Sequence, residues 1–207
     1  MIEVRIDMDT KEIERKLGAL SKKANLVMAR AANTAAVTAR KTLAKETAKR
    51  YRVGNRKGQG VNAVKDIIEV KKAYQTNPVA RVVATGKHFN LIGFKVSPGR
   101  PVKTKTLKSG KRRNDPYVYR AAVMTSRSPR PLQGERKPFV AVMENGYEGV
   151  FRRKNEKGRA LVGVGGPAIP QVMKNREILL MVNKDAGEML RKRVDHEVGR
   201  ILDSAGK

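Results

Sequence analysis

The chain has 207 residues with 46 Lys plus Arg against 19 Asp plus Glu, a formal net charge of +27, no Cys and no Trp. The missing thiols exclude a disulfide framework and any thiolate metal site, and a charge this large cannot be neutralised internally, so it attracts polyanions and repels copies of itself. The expected partners are nucleic acid, an acidic protein surface, or both. A chain of this length buries roughly 70% of the surface its unfolded form exposes. Only 4 Phe and 5 Tyr are present, so the core must be aliphatic.

Met1 to Met8 alternates through Ile2, Val4 and Ile6 and predicts a first strand. Asp9 or Thr10 can cap a helix starting directly after it, because a short side-chain oxygen accepts a free first-turn N–H. Ile13, Leu17, Leu20, Ala24, Val27, Ala31, Ala35 and Thr38 recur at helical spacing. They predict one long helix over about residues 10–52, with Gly18 as the point for a bend and Gly54 just beyond its end. Its small residues Ala29, Ala31, Ala32, Ala35, Ala36 and Ala39 let another element approach closely.

Lys41, Lys45, Lys49, Arg52 and Arg56 recur at three- and four-residue spacing, offset between Thr38 and Lys65 only by Glu46. Such a stripe is either a solvated face or a surface for phosphate or an acidic partner, since like charges at i,i+4 cost a few tenths of a kcal/mol per pair.

An apolar-polar run, Val61 to Ile68, leads into a strand reading over Ile67 to Tyr74, and Ala80 to Thr85 reads as its hairpin partner across the turn signal Thr76-Asn77-Pro78. Leu91 to Val96, Val118 to Met124 and Phe139 to Met143 are further strands. The segment of about residues 97–116 holds Arg100, Lys103, Lys105, Lys108, Lys111, Arg112 and Arg113 with no acid before Asp115. It reads as a β-arm or a loop, whose tip is either solvated or touches DNA or an acidic neighbour. No aromatic residues interleave those cations, so any nucleic-acid contact there is to phosphate and independent of sequence.

Two apolar runs flank Lys154 to Arg159, giving a strand that ends in Arg152 and Arg153, a turn, then a strand over Ala160 to Val164. Arg152, Arg153 and Lys154 make a third basic cluster. Gly165-Gly166-Pro167 is expected to end the ladder, because Pro has no N–H to donate, and Pro170 suits the first turn of a helix. Phe151, Pro167, Ile169, Pro170 and Val172 are the apolar residues expected at this elbow or at an assembly interface. Ile178, Leu179, Val182, Ala186, Leu190, Val194, Val198 and Ile201 then predict a C-terminal helix over about residues 170–204. Helix, meandering antiparallel sheet over about 67–164 and helix make an α+β chain, read as a single domain over 1–207.

Catalytic readings fail on inventory. His88 and His196 are the only histidines, and both read as structural or surface residues. Asp195-His196-Glu197 are neighbours on a helix and point in different directions. Ser109-Gly110-Lys111-Arg112 lacks the upstream Gly and the Ser or Thr of a P-loop, and Gly163 to Gly166 belongs to the elbow. No catalytic residue, metal or cofactor is expected. No apolar run approaches the roughly 20 residues of a spanning helix and Met1-Ile2-Glu3-Val4 does not begin a signal peptide. The chain is therefore read as soluble, without a membrane partner, and retained where it is made.

Several segments taken in order resemble the bacteriophage minor tail protein Z family, also called tail completion proteins. They are Ala32-Asn33-Thr34-Ala35 within the long helix, Tyr51-Arg52-Val53 at its end and His88-Phe89-Asn90-Leu91-Ile92-Gly93-Phe94. Phe139-Val140-Ala141, Gly149-Val150-Phe151-Arg152-Arg153 and Gly166-Pro167-Ala168-Ile169-Pro170-Gln171 complete the pattern.

The resemblance implies a structural virion protein at the head-proximal end of the tail, assembled in the host cytoplasm, with no enzymatic turnover. It further implies a ring around the channel axis, for which six copies would match the tail's symmetry. The implied neighbours are tail terminator, tail tube and head-tail connector subunits, with double-stranded DNA in the channel contacted through phosphates. Two other readings remain open on the residues: a head-side neck protein of related fold, and a free, sequence-independent nucleic-acid-binding protein.

Overall fold

The computed structural model describes residues 1–53, 60–86, 88–102, 118–134, 136–155 and 160–205. It is an α+β fold, and the chain divides into two compact units. One comprises Met1–Thr47, Val64–Gly86 and Pro170–Lys207; the other comprises Ala48–Ala63 and Lys87–Ile169.

In the first unit, β1 (Ile2–Ile6) leads to α1 (Thr10–Leu17), whose cap is Asp9, with the Lys11 N–H donating to its Oδ1 at 3.0 Å. The expected single helix is broken once. Gly18 takes φ 54°, a conformation that a side chain would strain, and residues Gly18–Lys23 wind as a 3₁₀ segment before α2 (Ala24–Arg50) begins. Ala29, Ala31, Ala32, Ala35, Ala36 and Ala39 of α2 are all buried, as their size predicts.

β2 (Ile68–Lys71) and β3 (Ala80–Ala84) form the predicted hairpin, closed where Tyr74 and Asn77 exchange both backbone hydrogen bonds. β1 adds to the other side of β3, so the sheet order is β1-β3-β2. The C-terminal helix is also broken once. α4 (Ile169–Met173) is separated from α5 (Arg176–Ala205) at Asn175, whose side chain accepts from the Glu177 N–H at 3.0 Å and starts a new helix. Ile178, Val182, Ala186, Leu190, Val194, Val198 and Ile201 of α5 are buried, so the period read from the sequence marks the face in the core.

In the second unit, α3 (Gly60–Lys65) begins where the sequence showed only an apolar-polar run, and its last residues, Val64 and Lys65, belong to the first unit. β4 (His88–Asn90) and β5 (Lys95–Ser97) bracket a 3₁₀ turn at Leu91–Gly93, where one strand over 91–96 was expected. The cause is Asn90, whose Oδ1 accepts from the Ile92 N–H at 3.1 Å and turns the chain. β6 (Arg120–Ala122) pairs with β5 and with β7 (Arg130–Pro131), a two-residue strand.

β8 (Phe139–Val142), β9 (Glu148–Arg153) and β10 (Leu161–Gly163) form the predicted antiparallel set. Gly165-Gly166-Pro167 does not end the pairing. It forms β11 (Gly165–Ala168), which pairs with β4 through an irregular register. A two-stranded ladder tolerates a proline because one edge has no partner to lose. The strands thus share three three-stranded sheets and one two-stranded ladder among the described residues.

Candidate assembly and phosphate-contact surfaces

Lys41, Lys45 and Lys49 stand exposed on α2 at four-residue spacing, one face of the helix. Arg52 does not continue that stripe. Its Nε donates to the Met124 carbonyl at 3.2 Å and its Nη2 to the Thr125 carbonyl at 3.0 Å. Thr125 in turn satisfies the end of α2, with its N–H donating to the Arg50 carbonyl at 2.9 Å and its hydroxyl to Lys49 and Arg50 carbonyls at 3.0 and 3.1 Å. A helix terminus leaves carbonyls without intrahelical partners, and this loop supplies them. Arg52 is therefore a fastening, and Arg56 lies outside the described residues.

Of the arm, Arg100 is exposed, while Lys103, Lys105, Lys108, Lys111, Arg112 and Arg113 lie outside the described residues. Its base is fixed: the Val102 N–H donates to the hydroxyl of buried Tyr119 at 2.9 Å, and the Leu132 N–H donates to the Tyr119 carbonyl at 2.7 Å.

Arg152, Arg153 and Lys154 are exposed at the end of β9. Successive strand residues face opposite sides, so Arg152 and Arg153 do not share a face. Sequence proximity overstated their clustering. Arg136 was missed and joins them through space, its Nη1 donating to the Lys154 carbonyl. No sequence pattern places it there, since 18 residues separate the two.

The elbow residues are buried within the chain itself. Ile169 is 0% exposed, Phe151 and Val172 are 6% exposed, Pro170 is buried and Pro167 half-buried. Phe151 meets Tyr147 edge to face at a centroid distance of 6.2 Å. Gly166 has a packing reason, because a Cβ there would lie 2.5 Å from Phe94 Cε2.

Two asparagines, one in each of two quoted motifs, act alike. Asn33 Nδ2 donates to the Ala73 carbonyl at 3.0 Å and its Oδ1 accepts from the Ala73 N–H at 2.7 Å. Asn90 does the same to Val150, at 3.2 Å and 2.9 Å. Each amide stands in for a neighbouring strand's peptide, which only Asn or Gln can do with both a donor and an acceptor.

The charge is unevenly held. The second unit carries 24 Lys plus Arg against 5 Asp plus Glu over its full sequence, whereas the first carries 22 against 14. In the first unit many cations are spoken for. Arg30, Arg193 and Arg200 converge on the carboxylate of buried Glu197 at 3.3, 3.2 and 3.8 Å, and Lys16 Nζ donates to Asp195 Oδ1 at 2.8 Å. That bond raises the Lys16 pKa above the ordinary lysine value. His196 is exposed with its Nδ1 3.8 Å from Glu197 Oε1, so these two neighbours approach each other where the sequence suggested they point apart, while Asp195 turns to Lys16. Among the described residues no cluster of His, Cys, Asp or Glu could hold a metal, and no helix is long and apolar enough to cross a membrane.

These features define a strongly basic α+β protein whose net positive charge is concentrated on one of its two units, which has few acids to offset its cations. A family model described as prophage minor tail protein Z (GPZ) matches residues 10–204, and the chain belongs to that family. It is a phage minor tail protein, a structural component of the virion. No curated protein and no solved structure gives a significant match to the chain.

Proposed function

We propose that this protein completes the head-proximal end of the tail as a ring of six copies around the channel, meeting tail terminator, tube and connector subunits and admitting DNA at head-tail joining. The observation that carries this reading is the basic excess of the second unit, 24 cations against 5 anions. A ring multiplies that excess by its copy number, and double-stranded DNA in the channel screens the resulting repulsion through phosphate contacts. The exposed lysines of α2, Arg100 and the arm beyond it, and the Arg152 to Lys154 hairpin supply the cations. The mechanism is assembly: loops order on docking, at a cost in conformational entropy that suits a late, conditional step.

Electron microscopy of particles made with a labelled subunit, and of particles lacking the gene, tests the reading. Density at the head-proximal tail end, with failed joining or DNA delivery in its absence, is the expected result. Intact, infectious particles without that density would replace it with a free nucleic-acid-binding role. Density on the head side of the joint would replace it with a neck role.

A further inference from the structure

The sheet β1-β3-β2 repeats itself across its centre. Ile2-Glu3-Val4-Arg5 and Ile68-Glu69-Val70-Lys71 pair with β3 from opposite sides in the same register: both Ile residues against Ala84, both Glu against Val83, both Val against Val82, and Arg5 and Lys71 against Arg81. β1 and β2 therefore run parallel, with Ile and Val turned to the buried face and the charges turned outward. Both are edge strands. An open edge is a row of backbone donors and acceptors ready to template another strand.

Beside β2 that edge opens into a groove of about 810 Å³, lined by Asp66 to Val70 and walled by α2 through Asn33, Val37 and Arg40. At one end Asn33 already imitates a strand peptide against Ala73, and at the other Arg40 Nη2 donates to the Lys65 carbonyl at 2.9 Å. Between them Val37 is 47% exposed, an apolar side chain flanked by half-buried Asn33 and Arg40. Arg40 Nε is buried and makes no hydrogen bond, so one polar group of this wall is left unsatisfied in the single chain.

We infer that the groove takes the β1 edge of a second copy, so that successive subunits join by strand addition between β2 of one and β1 of the next. Charge complementarity selects the occupant and its register. Aligned level with β2 in the same direction, β1 would set Glu3 beside Glu69 and Arg5 beside Lys71, which repels. Shifted by two residues, it sets Arg5 beside Glu69 and Asp7 beside Lys71, while Val4 and Ile6 fall beside Ile68 and Val70 on the buried side. Because the donor and acceptor edges differ, the contact is heterologous and leads either to a ring or to an open fibre. The parallel direction rests on the proposed ring, whose copies must all point the same way. An antiparallel strand would still set Arg5 beside Glu69, but would set Glu3 beside Lys71 and could not close six copies.

The chain has no cysteine, so engineered pairs report this contact cleanly. Within one chain positions 5 and 69 are two strand spacings apart across the sheet and offset by two residues along it, hence more than roughly 9–10 Å and beyond the roughly 7 Å between Cα atoms that a disulfide spans. Oxidation of assembled tails carrying Arg5→Cys with Glu69→Cys should therefore give a ladder of covalent multimers, absent from either single variant. Asp7→Cys with Lys71→Cys should give the same ladder, and Glu3→Cys with Lys71→Cys should not. Ladders from both the Arg5 pair and the Glu3 pair, with none from the Asp7 pair, would mark an antiparallel strand, keeping the contact and overturning the ring. No ladder from the first pair, in tails that assemble normally, would overturn the contact and leave the ring standing. If the cysteines block assembly, charge reversal decides. Arg5→Glu and Glu69→Arg should each weaken self-association about threefold and restore it when combined. Single variants that associate like the parent would overturn the contact.

Discussion

Replacing Asn90 by Ala should cost far more than its size suggests, because the side chain is a structural peptide. Three hydrogen bonds vanish: Val150 N–H to Oδ1 at 2.9 Å, Nδ2 to the Val150 carbonyl at 3.2 Å and Ile92 N–H to Oδ1 at 3.1 Å. Their consequences differ. The Val150 carbonyl keeps the Val164 N–H at 2.8 Å, and Ile92 is half-buried, where water can reach its N–H. The Val150 N–H has neither remedy, for that residue is 0% exposed. One stranded buried donor costs about 1–3 kcal/mol and an ordinary hydrogen bond about 1, so the total loss is roughly 2–4 kcal/mol.

For a chain of this length that corresponds to a fall in Tm of roughly 4–16 °C. Urea unfolding followed by circular dichroism measures the loss, and amide exchange at Val150 locates it. Asn145→Ala is the control: it removes one hydrogen bond, to the Tyr147 N–H at 3.0 Å, at an exposed turn, and should change stability by about 0.5 kcal/mol or less. Equal losses in the two variants would refute the argument that the amide replaces a strand.

Gly166→Ala should destabilise by about 1–3 kcal/mol, since its Cβ would fall 2.5 Å from the ring of buried Phe94; a thermal melt unchanged from the parent would show that the ring yields freely. Lys16 is held in its charged form mainly by its hydrogen bond to Asp195. Its contribution is fully present below the ordinary lysine pKa and is lost as pH rises through the raised value, so Lys16→Met should remove part of the alkaline fall in stability and leave the neutral-pH slope alone. Changing Lys41, Lys45 and Lys49 together to Ser should leave the helix content unchanged. If all three meet phosphate, the slope of log affinity for duplex DNA against log salt should shrink by about 3, and an unchanged slope assigns these lysines to solvent.

Local chemistry was legible in the residues. The capping Asp9, the alternation of Ile2, Val4 and Ile6, the Tyr74 to Asn77 hairpin and the buried face of α5 all come from short-range rules. These depend only on neighbours a few positions apart, which a linear pattern records. Gly18 was marked as a bend, but the full break there and the one at Asn175 were harder to read, because helical periodicity continues through both and only the glycine's φ and the asparagine's capping bond break it.

What the tertiary structure alone decided was which cations stay available. Arg52 looks like the next lysine of the α2 stripe until its donors are found on the carbonyls of Met124 and Thr125. Arg136 belongs with Lys154 only through space, and Arg152 parts from Arg153 because a strand alternates its sides. The likeness of β1 and β2 is likewise written in the chain as Ile-Glu-Val-basic, 66 positions apart. Its meaning comes from β3, which holds both in one register and leaves an edge open on each side. Composition sets how much charge the molecule carries, and long-range pairing sets where that charge can act.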